Sequence, residues 1–253
     1  MGKTAVAVLA GLAGCLLLGC GGGPGRPAER PSDGPSGGPV NGASPSPIRP
    51  PVAKADGLIV FDGDSLTEGF MLPSGQDYPS QAMTQLPGWL AYVNFGLSGQ
   101  TWPDLLADVR REVDPLYSAH RRLNLVAVWA GANDVAYGFT AQQMYGHARS
   151  YCEGRRQRGF AVVILTTYPL CPHDLDDRYD ATRREYNELL REHWREFADA
   201  LVDVALDTYI GDPSGPERSR YFIDAVHLNA DGYAVIADCV VRTLRPLVER
   251  AAH

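Results

Sequence analysis

The sequence predicts an α/β fold, with a mainly parallel sheet packed between helices. Two observations carry that reading. Short apolar runs alternate with longer polar and amphipathic stretches, and the runs are apolar almost throughout instead of at every second position. Continuous apolar runs mark strands covered on both faces, as in parallel sheets. Alternation of strand and helix is how such sheets are wound.

The elements follow in order. Gly57–Phe61 reads as the first strand, Ala91–Phe95 as the second, Leu123–Ala130 as the third and Phe160–Thr167 as the fourth; Ala200–Val204 is a weaker fifth. Helices fall between them. Pro103–Asp114 has Leu105, Leu106 and Val109 at helical spacing, with Pro103 suited to a first turn. Thr140–Arg158 stops at Gly159, a natural helix end. Asp180–Ala200 opens on a cap residue and is rich in Glu and Arg four apart. Asn229–Val248 sets Tyr233, Ile236, Val240, Leu244 and Leu247 on one face.

The chain of 253 residues divides into three parts. Residues 1–20 read as a bacterial lipoprotein signal. A short positive start, Met1–Lys3, precedes the apolar run Ala5–Leu18, which is too short for a membrane span. The run ends in Leu17–Cys20, which resembles a lipobox, the motif whose Cys becomes lipidated. An earlier Leu12–Cys15 has the same form; Cys20 leaves the more usual signal length and abuts a Gly-rich stretch, so it is the expected lipidation site. Residues 21–55 hold nine Pro and eight Gly, too few apolar side chains to offset chain entropy, and read as a disordered linker. Residues 56–253 read as one folded domain with a sizeable core. The expected location is outside the cytoplasm, held to the cell envelope by the lipid.

Charge narrows the partners. The body from residue 56 carries 18 basic and 28 acidic residues, with no Lys. That excludes nucleic acid, which needs a basic face, and electrostatic docking on anionic lipid. Membrane attachment is expected through the N-terminal anchor only. Cys152, Cys171 and Cys239 remain in the body, with no C-x-x-C spacing to suggest zinc. Cys239 reads as a buried thiol among Ile236, Val240 and Leu244; Cys152 and Cys171 stay open as a candidate bridge.

In parallel sheets, sites gather beyond the carboxyl ends of strands. Gly63–Leu66 follows the first strand, Ser98–Thr101 the second and Gly131–Asp134 the third, while Asp224–His227 precedes the last helix. These supply the parts of acyl transfer. Ser65 is the candidate nucleophile and His227 its base, with Asp224, three residues earlier, placed to hold the imidazole. The Ser65 and Gly99 backbone N–H groups and the Asn133 amide are the candidate oxyanion donors. Each signal alone has a plainer reading as a cap or a turn; their joint order is what counts.

That order resembles the GDSL family of hydrolases, also called the SGNH superfamily. Phe61–Gly69 is similar to its first block, Asn94–Thr101 to the second, Gly131–Asp134 to the third and Asp224–His227 to the last. The resemblance spans residues 57–248. It implies a three-layer α/β/α sandwich with a mainly parallel five-stranded sheet, flavodoxin-like in plan. It implies Ser65, Gly99, Asn133 and His227 as the four hallmark residues. It further implies hydrolysis of carboxylic esters through an acyl-enzyme, with no cofactor and no metal. Substrates range over acetylated carbohydrates, short esters, thioesters and lipid esters; acyl transfer to a sugar or envelope polymer is the alternative. Thr67 replaces the last Gly of a G-x-S-x-G elbow, which argues against the ordinary α/β-hydrolase fold.

Neighbouring residues read more plainly. Asp64 and Asp134 are expected to brace loops, and Glu68 to be a helix-start charge. Asp174, Asp176 and Asp177 read as an acidic loop instead of a cation site. Tyr78, Trp102 and Tyr168 are open between pocket lining and core packing.

Overall fold

A computed structural model describes residues 50–171 and 176–253. The signal segment, Cys15, Cys20, most of the linker, His173 and Asp174 lie outside the described residues. The element order is β1 (Gly57–Gly63), α1 (Ser65–Glu68), α2 (Tyr78–Thr84), β2 (Leu90–Asn94), α3 (Trp102–Asp108), β3 (Leu123–Trp129), α4 (Ala132–Ala136), α5 (Ala141–Arg158), β4 (Ala161–Leu165), α6 (Asp177–Phe197), β5 (Ala200–Val202) and α7 (Ala230–Ala252). Short 3₁₀ turns lie between them.

All five strands pair in parallel, in the order β2-β1-β3-β4-β5. β1 and β3 are buried at every position, as their nearly continuous apolar runs suggest. α2 packs on α7, while α3 and α6 pack on α5, so helices form two groups about the sheet. This is the expected α/β sandwich. In this strand order the chain winds outward from β1 to β2 and then returns to β3. The carboxyl ends of β1 and β3 therefore flank the reversal point, where such sheets leave a crevice. Ser65 follows one of these ends and Asn133 the other.

Several boundaries differ from the expectations. The helix expected over 103–114 closes at Asp108, and the chain continues in turns to Leu116. α6 begins at Asp177, because Asp176, not Asp180, caps it by accepting from the Arg178 and Tyr179 N–H groups. Asp180 instead pairs with Arg183 and Arg184. Tyr78, Trp102 and Tyr168 are core residues. Tyr78 packs edge-on to Phe61 and Trp129, with ring centroids 5.6 and 5.5 Å apart, and Tyr168 also packs edge-on to Trp129. The three body cysteines are free thiols, so Cys152 and Cys171 form no bridge. Burial raises the Cys152 thiol well above its ordinary range and Cys239 to about 11. No helix among the described residues is long and apolar enough to cross a membrane.

Candidate active site

Ser65 is the first residue of α1, set there by local chemistry. β1 ends at Gly63, and Asp64 caps α1 by accepting the Leu66 N–H at 2.9 Å. Gly69 closes the helix in the left-handed region. The serine is thus held on a single tight turn at the carboxyl end of β1.

His227 reaches it from 162 residues away. The preceding segment folds back on itself: Phe222 and Leu228 form an antiparallel bridge, and the Ile223 N–H donates to the His227 carbonyl at 2.8 Å. Asp224 lies in the bend. One of its oxygens accepts the Val226 and His227 N–H groups at 2.8 and 2.7 Å, and the other lies 2.9 Å from His227 Nδ1. His227 Nε2 lies 2.9 Å from Ser65 Oγ. A carboxylate at Nδ1 selects the tautomer whose proton is on that nitrogen. Nε2 is then left to accept the serine hydroxyl. Partial burial pushes the Asp224 carboxyl up, but the His227 ring and the two backbone N–H groups outweigh it and hold it at about 2. Asp224 is a carboxylate throughout the neutral range.

The bend carrying Asp224 is pinned from outside. The Tyr168 hydroxyl donates to the Val226 carbonyl at 2.7 Å, and the Cys171 N–H to that of Ala225 at 2.9 Å. Arg218 is buried, with no carboxylate partner among the described residues. Its guanidinium donates to the carbonyls of Ile210, Leu170 and Pro169 and lies 4.5 Å over the Phe222 ring. Phe70 packs on His227, with ring centroids 4.8 Å apart.

The Ser98–Thr101 loop lies beside Ser65. The Leu97 N–H donates to the Gly63 carbonyl at 3.1 Å. Gly96 permits this approach, since a Cβ there would stand 2.1 Å from the Glu68 nitrogen. Asn133 Nδ2 donates to the Gln100 carbonyl at 2.9 Å, which ties the third motif to the second. Asp134, fully buried, accepts the Trp102 N–H through both oxygens. Gly99 has φ +85°, with nothing within 4 Å of where a Cβ would sit. The Ser65 and Gly99 N–H groups take no partner among the described residues. The structure thus gathers Ser65, Asp224 and His227 into one hydrogen-bonded chain and ties Asn133, on α4, to the loop that carries Gly99.

Asp64 and Asp134 brace loops, as expected. Burial pushes both up to about 7, and likewise Asp62, which accepts the Tyr151 hydroxyl. Glu68 does something the sequence reading missed. Its carboxylate accepts the Ser98 N–H at 2.8 Å and also the Ser98 hydroxyl, clamping the residue before Gly99. No spacing rule connects residues thirty positions apart on two different strand ends, so local pattern gave no signal for it. Asp176 and Asp177 serve α6, and no group of three or more His, Cys, Asp or Glu is gathered for a metal among the described residues. A cavity of about 380 Å³ opens beside α4, lined by Tyr137, Phe139, Arg178, Tyr179 and Glu185 among others, and none of its lining residues belongs to the Ser65–His227 chain.

Known proteins share this design. The profile of the GDSL-like lipase/acylhydrolase family matches residues 61–235. The thioesterase 1/protease 1/lysophospholipase L1 of Escherichia coli K12 is 24% identical over 196 residues, covering 78% of this chain and 86% of that protein. A member of the lipolytic G-D-S-L family from Veillonella parvula superposes with a TM-score of 0.62 at 20% identity, covering 73% of this chain and 96% of its own. An acetyl-xylooligosaccharide esterase from Geobacillus stearothermophilus does so with a TM-score of 0.61 at 18% identity, covering 74% and 94%. At these identities the structures share the fold; the profile carries the family. The chain belongs to the GDSL-like lipase/acylhydrolase family, and with it to the carboxylic ester hydrolases.

Proposed function

We propose that Ser65 is the nucleophile of a two-step ester hydrolysis. The observation that carries this is the unbroken chain from Asp224 through His227 to Ser65, with both links at 2.9 Å. His227 Nε2 takes the Ser65 proton as Oγ attacks the ester carbonyl. The Ser65 and Gly99 N–H groups and the Asn133 amide receive the oxyanion. The imidazolium, held by Asp224, passes its proton to the departing alcohol and leaves an acyl-Ser65. Water then gives a proton to His227 and attacks the acyl carbon, and collapse of the second oxyanion returns Ser65 with release of the acid. No step calls on a cofactor. The candidate substrates are acetylated carbohydrates, short-chain esters and lipid esters.

We further propose, from the signal-like sequence of residues 1–20, that the domain lies outside the cytoplasm, tethered through the 21–55 linker by a lipid on Cys20; acyl labelling that persists in Cys20→Ala would contradict that site. The hydrolase reading is tested with a short p-nitrophenyl ester. Ser65→Ala is expected to lose turnover by a factor on the order of 10⁴–10⁶ with an unchanged melting curve. Wild-type rates in that variant would overturn it.

A further inference from the structure

Six large apolar side chains stand exposed among the described residues: Met71 (64%), Leu97 (55%), Tyr137 (57%), Leu206, Tyr209 and Ile223 (40%). All six lie in segments that follow the carboxyl ends of strands, and none lies within an α-helix, Leu206 closing a short 3₁₀ turn. Four are tied by the backbone to the site. Leu97 N–H donates to the Gly63 carbonyl at 3.1 Å, Tyr137 N–H to that of Asn133 at 2.8 Å, and Ile223 N–H to that of His227 at 2.8 Å. Met71 follows Phe70, whose N–H donates to the Ser65 carbonyl at 3.1 Å and whose ring packs on His227. Each motif of the site therefore carries one exposed apolar neighbour, while Ser65 and His227 stay buried at 8% and 5% exposure. Leu206 and Tyr209 follow the edge strand β5 and have no such tie.

Exposed apolar side chains on segments tied to a buried site point to an apolar ligand that covers them. We infer that the ester cleaved at Ser65 carries an apolar chain several carbons long, and that Met71, Leu97, Tyr137 and Ile223 form the rim on which it lies. The inference rests on the Ser65 reaction proposed above and narrows its substrate class. An acetyl group has a single methyl, too short to extend from a buried serine over the rim, and a sugar would set its hydroxyls against these carbons. A chain of several methylenes loses water against the rim instead. Full burial of one methylene is worth about a four-fold gain and half cover about two-fold, so octanoyl over acetyl should gain on the order of 50-fold.

The chain could stand on the acyl or the alcohol side, and the experiment separates these. One arm measures kcat/KM of the full-length protein for p-nitrophenyl esters from acetyl to dodecanoyl. The other measures acetyl esters of straight-chain alcohols over the same lengths. The expected result is a steep rise with length in one arm, with a long-to-short ratio that falls at least five-fold in Leu97→Ser and Ile223→Ser. Leu206→Ser, off the rim, should keep the wild-type ratio. A variant that merely folds less well lowers long and short esters alike and leaves the ratio intact, which counts against the rim. A flat or falling profile in both arms overturns the inference while leaving ester hydrolysis standing. Failure to turn over any ester overturns both.

Discussion

Removing the Glu68 carboxylate tests whether the oxyanion loop depends on a clamp outside the triad. In the folded chain Glu68 holds Ser98 by its N–H and its hydroxyl, and Gly99 comes next. Gly99 has no side chain and no neighbour within 4 Å of its Cβ position, so its direction is set by its two flanking residues, Ser98 on the Glu68 clamp and Gln100 on the Asn133 amide. One oxyanion donor is worth about 2.7–4 kcal/mol when lost outright. Glu68→Ala should loosen that donor without deleting it, a loss of about 1–2 kcal/mol or roughly 5- to 30-fold in kcat. KM should stay within about two-fold, because a donor to the oxyanion acts on the transition state. Ser98→Ala removes only the hydroxyl bond and should lose less. The double variant should match Glu68→Ala alone, since both act through one clamp. Glu68→Gln, which keeps an acceptor, should recover part of the rate. Steady-state kinetics on p-nitrophenyl butyrate read all four variants. An unchanged kcat in Glu68→Ala, or additive losses in the double variant, would refute the clamp.

Further predictions concern the base, its support and the buried acids. Asp224→Asn should lower kcat by about 10³–10⁴-fold, because an amide at Nδ1 no longer favours the working tautomer; a loss under ten-fold would contradict the role of Asp224. Tyr168→Phe leaves the Val226 carbonyl without its hydroxyl donor and should lower stability by about 1 kcal/mol, visible as a drop of a few degrees in Tm. Asp62, Asp64 and Asp134 are each pushed from 3.8 to about 7. Between those values the folded chain binds more protons than the unfolded one, so stability falls as pH rises across that window. The urea midpoint should be higher at about pH 5 than at about pH 8, and Asp134→Asn should flatten the slope. Asp224 works in the other direction. Held at about 2, its contribution is full above 3.8 and is lost as the pH falls toward 2.

The parts legible in the sequence were those written into contiguous residues. β1 and β3 announced themselves because both faces are buried, which leaves no polar alternation to confuse with a loop. β5 is three residues long at the sheet edge and left only a faint trace. α1 and α4, of four and five residues, are too short to show any period, yet they carry Ser65 and Asn133. Glycine and cap residues marked their positions instead. Asp224 and His227 were readable as a pair because three residues separate them along one bend. What pins that bend was not readable. Tyr168 and Cys171 reach it from distant points in the chain, and Arg218, buried among the carbonyls of Pro169, Leu170 and Ile210, has no sequence signature. The Glu68 clamp was hidden for the same reason: Glu68 is the helix-start charge expected, and nothing local marks its second task until the other strand end is in place.

The central claim is that Ser65 is the nucleophile, activated by His227. It is tested most directly by a fluorophosphonate ester followed by peptide mass mapping. The account predicts one adduct per chain, on Ser65, none on the domain in Ser65→Ala, and labelling slowed by orders of magnitude in His227→Ala. An adduct on any other residue, or labelling of Ser65 at the same rate without His227, would contradict it.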